Sequence, residues 1–480
     1  MKIIKNSIYN IMYQIITVLL PIITVPYISR VLGEGGVGKQ AYTLAFAQYF
    51  ILIGSIGLNL YGNRQIAYVR DDKKKLNETF WQLVYLRIIT MSISIAIYYI
   101  VFVGINNHDR FIYAIQGINI LAALLDISWY FMGLEEFKAT VTRNVFVKIV
   151  GVICIFIFVK DISDVSTYIV ILSLSQLLGQ LVMWIKIPKF ISIKESDNTE
   201  LKKHFKFAIK LFIPQLAAQV YLLLDRIMLG MMVGESAVGL YENSQKIIRL
   251  AMPIVTSVGV VLLPRMANLY SNGKMDEFKE YIYKAFSSMN FISIPLAFGI
   301  IGITKNFKPW FFGPGFNGIE LLIIVSSFII IFGTWCNIIG FQVLVPMNKE
   351  REFTISVTVA AIVNFTINLF LIRKIGALGT TISSVIAEFL VPCIQIYYIK
   401  GFIDVKLLFK GINKILMAST FMLIVVICTS VFLPASILST LIEVIIGIVV
   451  YFGIMYIMKN DILIYAIDIV GDFLKSYNKR

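Results

Sequence analysis

The chain has 480 residues, of which 58% are apolar and only 15% charged, against roughly a quarter charged in a soluble protein. A water-soluble core cannot absorb that imbalance, so lipid solvates most of the chain, and the usual reading of this length as two or three soluble domains is excluded. The net charge of +15 would point to nucleic acid in a soluble protein, but in a membrane protein it points first to basic cytoplasmic loops.

A spanning helix needs about 20 mostly apolar residues. On that criterion fourteen spans are expected, near 7–29, 41–62, 80–103, 111–133, 143–159, 166–186, 208–230, 238–262, 285–304, 318–345, 354–372, 376–399, 412–433 and 437–458. The first begins Met-Lys-Ile-Ile-Lys, as a secretory signal does. Its apolar run is too long, contains Pro21 and Pro26 and lacks a small-residue cleavage site, so it reads as a retained helix. With the N-terminus inside, the inner segments and adjoining span ends hold 31 of the 43 lysines and arginines. Eight lie outside, and Arg87, Arg226, Lys246 and Arg249 lie within spans. That asymmetry places both termini on the cytoplasmic side.

After span one comes Gly33-Glu34-Gly35-Gly36-Val37-Gly38, and after span seven Gly234-Glu235-Ser236-Ala237-Val238-Gly239. The offset of 201 also maps Arg64 onto Arg265 and Lys73 onto Lys274. Either this is coincidence among glycine-rich hairpins or the halves are repeats crossing in one direction, related by an axis along the membrane normal with a central cleft. Gly33 to Gly38-Lys39 nearly spells a phosphate-binding loop. However, Gln40 stands where Ser or Thr would hold magnesium, no strand precedes it, and Leu240 replaces the lysine in the second copy. The glycines read instead as a tight turn between closely approaching helices.

Ionisable residues inside the membrane are costly and therefore functional candidates. Arg87 in span three and Asp126 in span four lie at similar depth. They either form an ion pair, commonly structural, or leave Asp126 as a proton or cation site. Asp225 and Arg226 stand near the outer end of span seven, close enough to reach water. Glu242, Lys246, Arg249 and Pro253 share one face of span eight, and the first-half equivalents are Ala41, Ala45, Gln48 and Leu52. Glu242 and Lys246, four apart, are expected to neutralise each other, leaving Arg249 near mid-depth without a local partner. Two readings follow: an anion site, since guanidinium grips phosphate or carboxylate in a forked geometry, or a structural pair with a snorkelling arginine. Glu388 lies mid-span in span twelve, where an unpaired carboxylate would hold a proton or cation. Glu443 is shallower, in span fourteen. Pro214, Pro253, Pro295 and Pro392, with the two prolines of span one, allow bent helices. The tail after Lys459 has the pattern of an amphipathic interfacial helix.

Cys154, Cys336, Cys393 and Cys428 lie in apolar runs without ligand spacing and read as small buried hydrophobes. His108 and His204 sit in polar stretches, so neither a metal site nor a cofactor is expected. Every loop is too short to form a folded domain, which argues against a membrane-embedded polymerase or glycosyltransferase and places function among the helices.

Three stretches carry a family resemblance. They are Pro26-Tyr-Ile-Ser-Arg-Val-Leu-Gly33, Asp126-Ile-Ser-Trp-Tyr-Phe-Met-Gly-Leu-Glu-Glu-Phe-Lys138 with Arg143-Asn144, and Ile213-Pro214-Gln215 with Asp225-Arg226, Gly230 and Glu235 to Tyr241. They resemble the Wzx-type polysaccharide repeat-unit flippases, within the multidrug/oligosaccharidyl-lipid/polysaccharide exporter superfamily. The resemblance implies an all-α polytopic membrane protein: two six-helix lobes around a central cavity, plus two C-terminal helices. The lobes would be 1–206 and 207–400, with 401–480 holding the last two spans and a cytoplasmic tail.

The implied function is flipping of undecaprenyl-diphosphate-linked oligosaccharide from the inner to the outer leaflet of a bacterial cytoplasmic membrane, with ion coupling and no catalysis. A polysaccharide polymerase and chain-length regulators are the expected partners. On this reading Arg249 and Lys246, with Arg30, Arg226 and Arg87, are candidates for the diphosphate or an acidic sugar. Asp126, Glu388, Asp225 and Glu242 are candidates for the coupling ion. A drug or metabolite exporter of the same fold is the alternative.

Overall fold

The computed structural model describes the backbone of all residues except 1, 106–108, 193–199, 461 and 465–480. Side chains at 2–18, 137–139, 213–215, 217–218, 220–222, 258, 260 and 261 are also outside the description. The expectations for His108 and most of the amphipathic tail fall on residues outside it.

Among the described residues every regular element is a helix. In chain order they are α1 (Lys2–Ser55), α2 (Leu58–Val69), α3 (Lys73–Tyr99), α4 (Arg110–Leu124), α5 (Ser128–Gly133), α6 (Phe137–Phe158), α7 (Val165–Ile185), α8 (Leu201–Met232) and α9 (Glu235–Ser271). There follow α10 (Met275–Phe312), α11 (Ile319–Ser326), α12 (Phe328–Cys336), α13 (Glu350–Ile375), α14 (Ala377–Ile399), α15 (Val405–Leu408), α16 (Ile412–Phe432) and α17 (Ile437–Ile457). Wider π turns extend α3 over Ile100–Ile105 and α12 over Asn337–Leu344. Eleven stretches among the described residues are long and apolar enough to cross a membrane, or twelve if the bent pair Glu235–Ser257 and Leu262–Ser271 is one span. The first, Leu19–Val69, contains two helices that meet at Gly33, whose φ of 65° belongs to the left-handed region that glycine enters without a Cβ clash.

The chain divides into two compact units, Met1–Gly239 and Leu240–Arg480. In the first, α1 packs against α3, α4, α6 and α8, while α7 covers α4 and α6. An aromatic core closes one end of it, with Phe80 at 5.0 Å from Tyr130 and 5.7 Å from Trp129 between ring centroids. Lipid supplies no hydrophobic drive between helices, so polar contacts and close packing take over that role. Accordingly, Gln116 donates to Thr43 (3.0 Å), and Asn119 donates to both Gln116 (2.9 Å) and Ser173 (2.8 Å). Outside the spans, Asp72 caps α3 by accepting from the Lys74 and Lys75 amides. Those hydrogen bonds hold its carboxyl below the usual carboxylate range.

In the second unit, α10 packs against α12, α16 and α17, and α13 against α14. One continuous core includes Phe278, Phe286, Ile338, Met422 and Tyr451. Between α13 and α14 a buried polar ladder runs from Ser383 through Asn368 to Asn364. The cysteines are free, but they are not the buried hydrophobes expected: three are half-buried and Cys428 is exposed. An apolar environment for a thiol in this chain can be lipid as well as protein interior.

Candidate anion-binding face and intramembrane charges

The charged face of α9 is held from behind by neutral hydrogen bonds. Tyr241 bonds Ser384 of α14 at 3.1 Å, and Gln245 donates to Ser326 of α11 at 3.0 Å. This fixes the rotation of α9 and turns Glu242, Lys246 and Arg249 to another side. The structure corrects one expectation here. Arg249 has a local partner: its Nη2 lies 2.5 Å from Glu242 Oε1. The two are seven residues apart, two helical turns on one face, and both side chains are long enough to meet. Lys246 donates to Asn243 at 3.1 Å. The Glu242 side chain is 11% exposed and that of Arg249 48%, so the guanidinium still presents N–H donors outward. An anion arriving there would compete with Glu242 for a charge-assisted, fork-shaped donor set.

Arg87 is placed differently. It is 2% exposed, and it stands beside a break in the span-four helix at residues 125–127, between α4 and α5. A break inside a membrane frees backbone carbonyls that must find donors. Arg87 Nε supplies Ala123 O at 2.8 Å, Trp184 Nε1 supplies Leu125 O at 2.8 Å, and Trp129 Nε1 supplies Asp126 O at 3.0 Å. Asp126 Oδ1 accepts from the Ser128 amide at 2.9 Å and so starts α5. Arg87 Nη1 donates to Asn59 at 2.7 Å and Nη2 lies 3.7 Å from Asp126 Oδ2. The pair read from sequence therefore forms, and every nitrogen of Arg87 faces an acceptor within the unit. Its geometry is that of a clamp on the broken helix.

The other candidates are dispersed. Arg30 is exposed on α1, and Arg226 is half-buried on α8. Asp225 is 1% exposed, which corrects the expectation that it reaches water: it faces protein, not the outer surface. Glu388 is half-buried on α14. Lys39, the lysine of the false phosphate loop, pairs with Asp109 at 2.7 Å. Among the described residues no group of three His, Cys, Asp or Glu side chains could hold a metal.

The two glycine motifs meet within the first unit. A Cβ on Gly38 would collide with the Glu235 carbonyl, and one on Gly239 with the Glu34 carbonyl. Adding 201 to 34 and 38 gives 235 and 239, so the two contacts are equivalents of each other under the repeat. Sequence reasoning weighed only ionisable side chains, and so missed Asn59, Trp184 and the amides Gln116 and Asn119. The signal available was amide and indole side chains recurring inside otherwise apolar spans.

Against known sequences, residues 3–270 match the family described as "Polysaccharide biosynthesis protein". The chain belongs to this family. Among curated relatives it is 21% identical over 405 residues to the "Putative O-antigen transporter" of Escherichia coli (strain K12), covering 83% of this chain and 96% of that protein. It is 21% identical over 404 residues to the "Capsular polysaccharide biosynthesis protein CapF" of Staphylococcus aureus, covering 82% and 98%. Among solved structures, "Lipid II flippase MurJ, inward closed conformation" matches with a TM-score of 0.76 at 17% identity, covering 96% of this chain and all of that one. At that identity the likeness establishes the fold: an all-helical polytopic membrane architecture. The sequence resemblance to polysaccharide flippases thus holds at the level of the family, and the all-α fold holds throughout the described residues.

Proposed function

We propose that this protein flips undecaprenyl-diphosphate-linked oligosaccharide repeat units from the inner to the outer leaflet of a bacterial cytoplasmic membrane, for capsule or other surface polysaccharide. The observation that carries the reading is the family match over residues 3–270. Relatives that are named as an O-antigen transporter and a capsular polysaccharide protein and are matched over most of their length support it. Fourteen spans, inside termini and repeat-related lobes at 1–206 and 207–400 complete the proposed architecture, with the last two spans and tail at 401–480.

In this scheme the guanidinium of Arg249 rests on Glu242, a carboxylate standing in for the substrate's own anion. The diphosphate displaces Glu242 and takes the fork, with Lys246 as a second positive charge. Glu242, released, is free to take up a proton or cation, which links substrate binding to ion movement. Arg30 and Arg226 are supplementary cations. Arg87 is left out of the anion set because its donors are already committed. Asp126, Asp225 and Glu388 remain the other coupling candidates.

The test is a deletion strain. It should lose surface polysaccharide while the lipid-linked unit accumulates on the cytoplasmic face. Normal surface polysaccharide in that strain would overturn the proposal.

A further inference from the structure

A cavity of about 290 Å³ lies in the second unit between α10, α16 and α17, near the lower end of the roughly 300–1,000 Å³ typical of small-molecule sites. Its wall is almost wholly apolar, formed by residues such as Phe291, Pro295, Gly299, Met422, Gly447 and Tyr451. Val444, Ile448 and Phe452 on its rim are exposed, so in a membrane the opening meets acyl chains. Two side chains of the wall carry a polar group: Tyr451 and Glu443, the latter 0% exposed.

Half of that carboxyl is accounted for. Asn306 Nδ2 donates to Glu443 Oε1 at 2.5 Å, and also approaches the carbonyls of Ser430 and Leu433 at 3.1 and 3.3 Å. Tyr451, the other polar side chain of the wall, spends its hydroxyl on Phe291 O at 2.8 Å. Glu443 Oε2 is buried without any hydrogen-bond partner. A buried acceptor left unmade costs free energy, more so for a carboxyl than for a neutral group. Lys305 on α10 acts electrostatically on this carboxyl.

From this geometry we infer that the cavity is a binding site for a lipophilic ammonium: an alkyl or aryl body filling the apolar slot and an amine donating to Glu443 Oε2. The apolar wall selects the body, and the single orphan acceptor selects the donor. Opposite charge then favours an amine over an alcohol of the same length, and disfavours a fatty acid outright. The occupant enters from the bilayer, since the rim faces it. The site is independent of the α9 face and does not rest on the flippase reading.

The experiment uses the full chain in phosphatidylcholine nanodiscs and follows the thermal unfolding midpoint with n-octylamine, 1-octanol or octanoate added, since a ligand for the native state raises that midpoint. Octylamine should stabilise the wild type, and octanol and octanoate should not match it. Glu443→Gln keeps an acceptor for Asn306 but removes the charge. It should weaken the octylamine effect by about tenfold or more in concentration, as expected when one partner of a buried charge pair is lost. Gly299→Leu, where an added Cβ finds only Met422 at 3.9 Å, fills the slot without touching the carboxyl and should abolish the effect. Equal stabilisation by octylamine and octanol, or a preference for octylamine that survives both substitutions, would overturn the inference.

Discussion

Gly38 lies so close to Glu235 that no side chain fits between them, and the same approach occurs between Gly239 and Glu34, the positions related to them by an offset of 201. A backbone-to-backbone contact of this kind tolerates neither a Cβ nor an easy shift, because carbonyls are fixed by their helices. Gly38→Ala and Gly239→Ala should each cost about 1–3 kcal/mol, the usual range for overpacking. Gly315→Ala, where nothing lies within 4 Å, is the matched control and should be neutral. Thermal midpoints of the purified variants decide this; Gly38→Ala behaving like Gly315→Ala would show that the contact yields.

That contact also marks how much of the molecule is legible in its sequence. The two motifs are legible because glycine spacing is local and the offset is shared by Arg64 and Arg265. The Arg87–Asp126 pair is legible from depth alone. The break at 125–127 is not: no glycine or proline marks it. It exists because Asp126 offers the Ser128 amide an alternative partner, while donors from residues 36 and 59 positions away satisfy the freed carbonyls. Such tertiary donors leave no periodic trace. The Arg249 partner escapes the sequence for a smaller reason. A four-residue spacing rule assigns Glu242 to Lys246, but the structure shows Glu242 reached by the arginine two turns on.

The clamp geometry of Arg87 separates a structural role from a substrate role. Arg87→Ala strands Ala123 O and Asn59 and leaves the half-buried Asp126 without its cation. A loss of about 3–5 kcal/mol is expected, the range for breaking a buried pair. Asp126→Asn keeps the oxygen that caps Ser128 and should cost less. The measurement is the yield and thermal midpoint of folded protein in membranes. A fully stable Arg87→Ala protein that fails only in export would assign Arg87 to the substrate instead.

For the α9 face the contrast is between charge and geometry. Arg249→Ala should impair polysaccharide export more than Arg249→Lys, with both proteins present in the membrane at wild-type amounts. Glu242→Gln weakens the internal competitor, so binding of a soluble diphosphate probe should tighten while export falls if Glu242 carries the coupled ion. Near-wild-type export in both Arg249 variants would remove this face from the site.

In the first turn of α8, His204 gives a pH dependence with a definite sign. Its Nε2 meets Gln82 Oε1 and its Nδ1 meets Tyr61 Oη, both at 2.8 Å, and the residue is 4% exposed. Gln82 Oε1 can only accept, so Nε2 carries the hydrogen and Nδ1 accepts from tyrosine: a fully satisfied neutral ring. Burial pushes its pKa below the usual histidine value, and nearby Lys203 acts in the same direction, against Glu200. The native state thus binds the proton less readily than the unfolded chain does. The stability this contributes is complete above the unfolded value of about 6.5 and is lost as pH falls from there through the lower native value. Between pH 7.5 and 5 the thermal midpoint of the wild type should therefore drop further than that of His204→Gln, which keeps polar contacts but cannot titrate. Parallel curves for the two proteins would mean that His204 stays uncoupled from folding and that the acid sensitivity of the chain arises from its surface carboxylates.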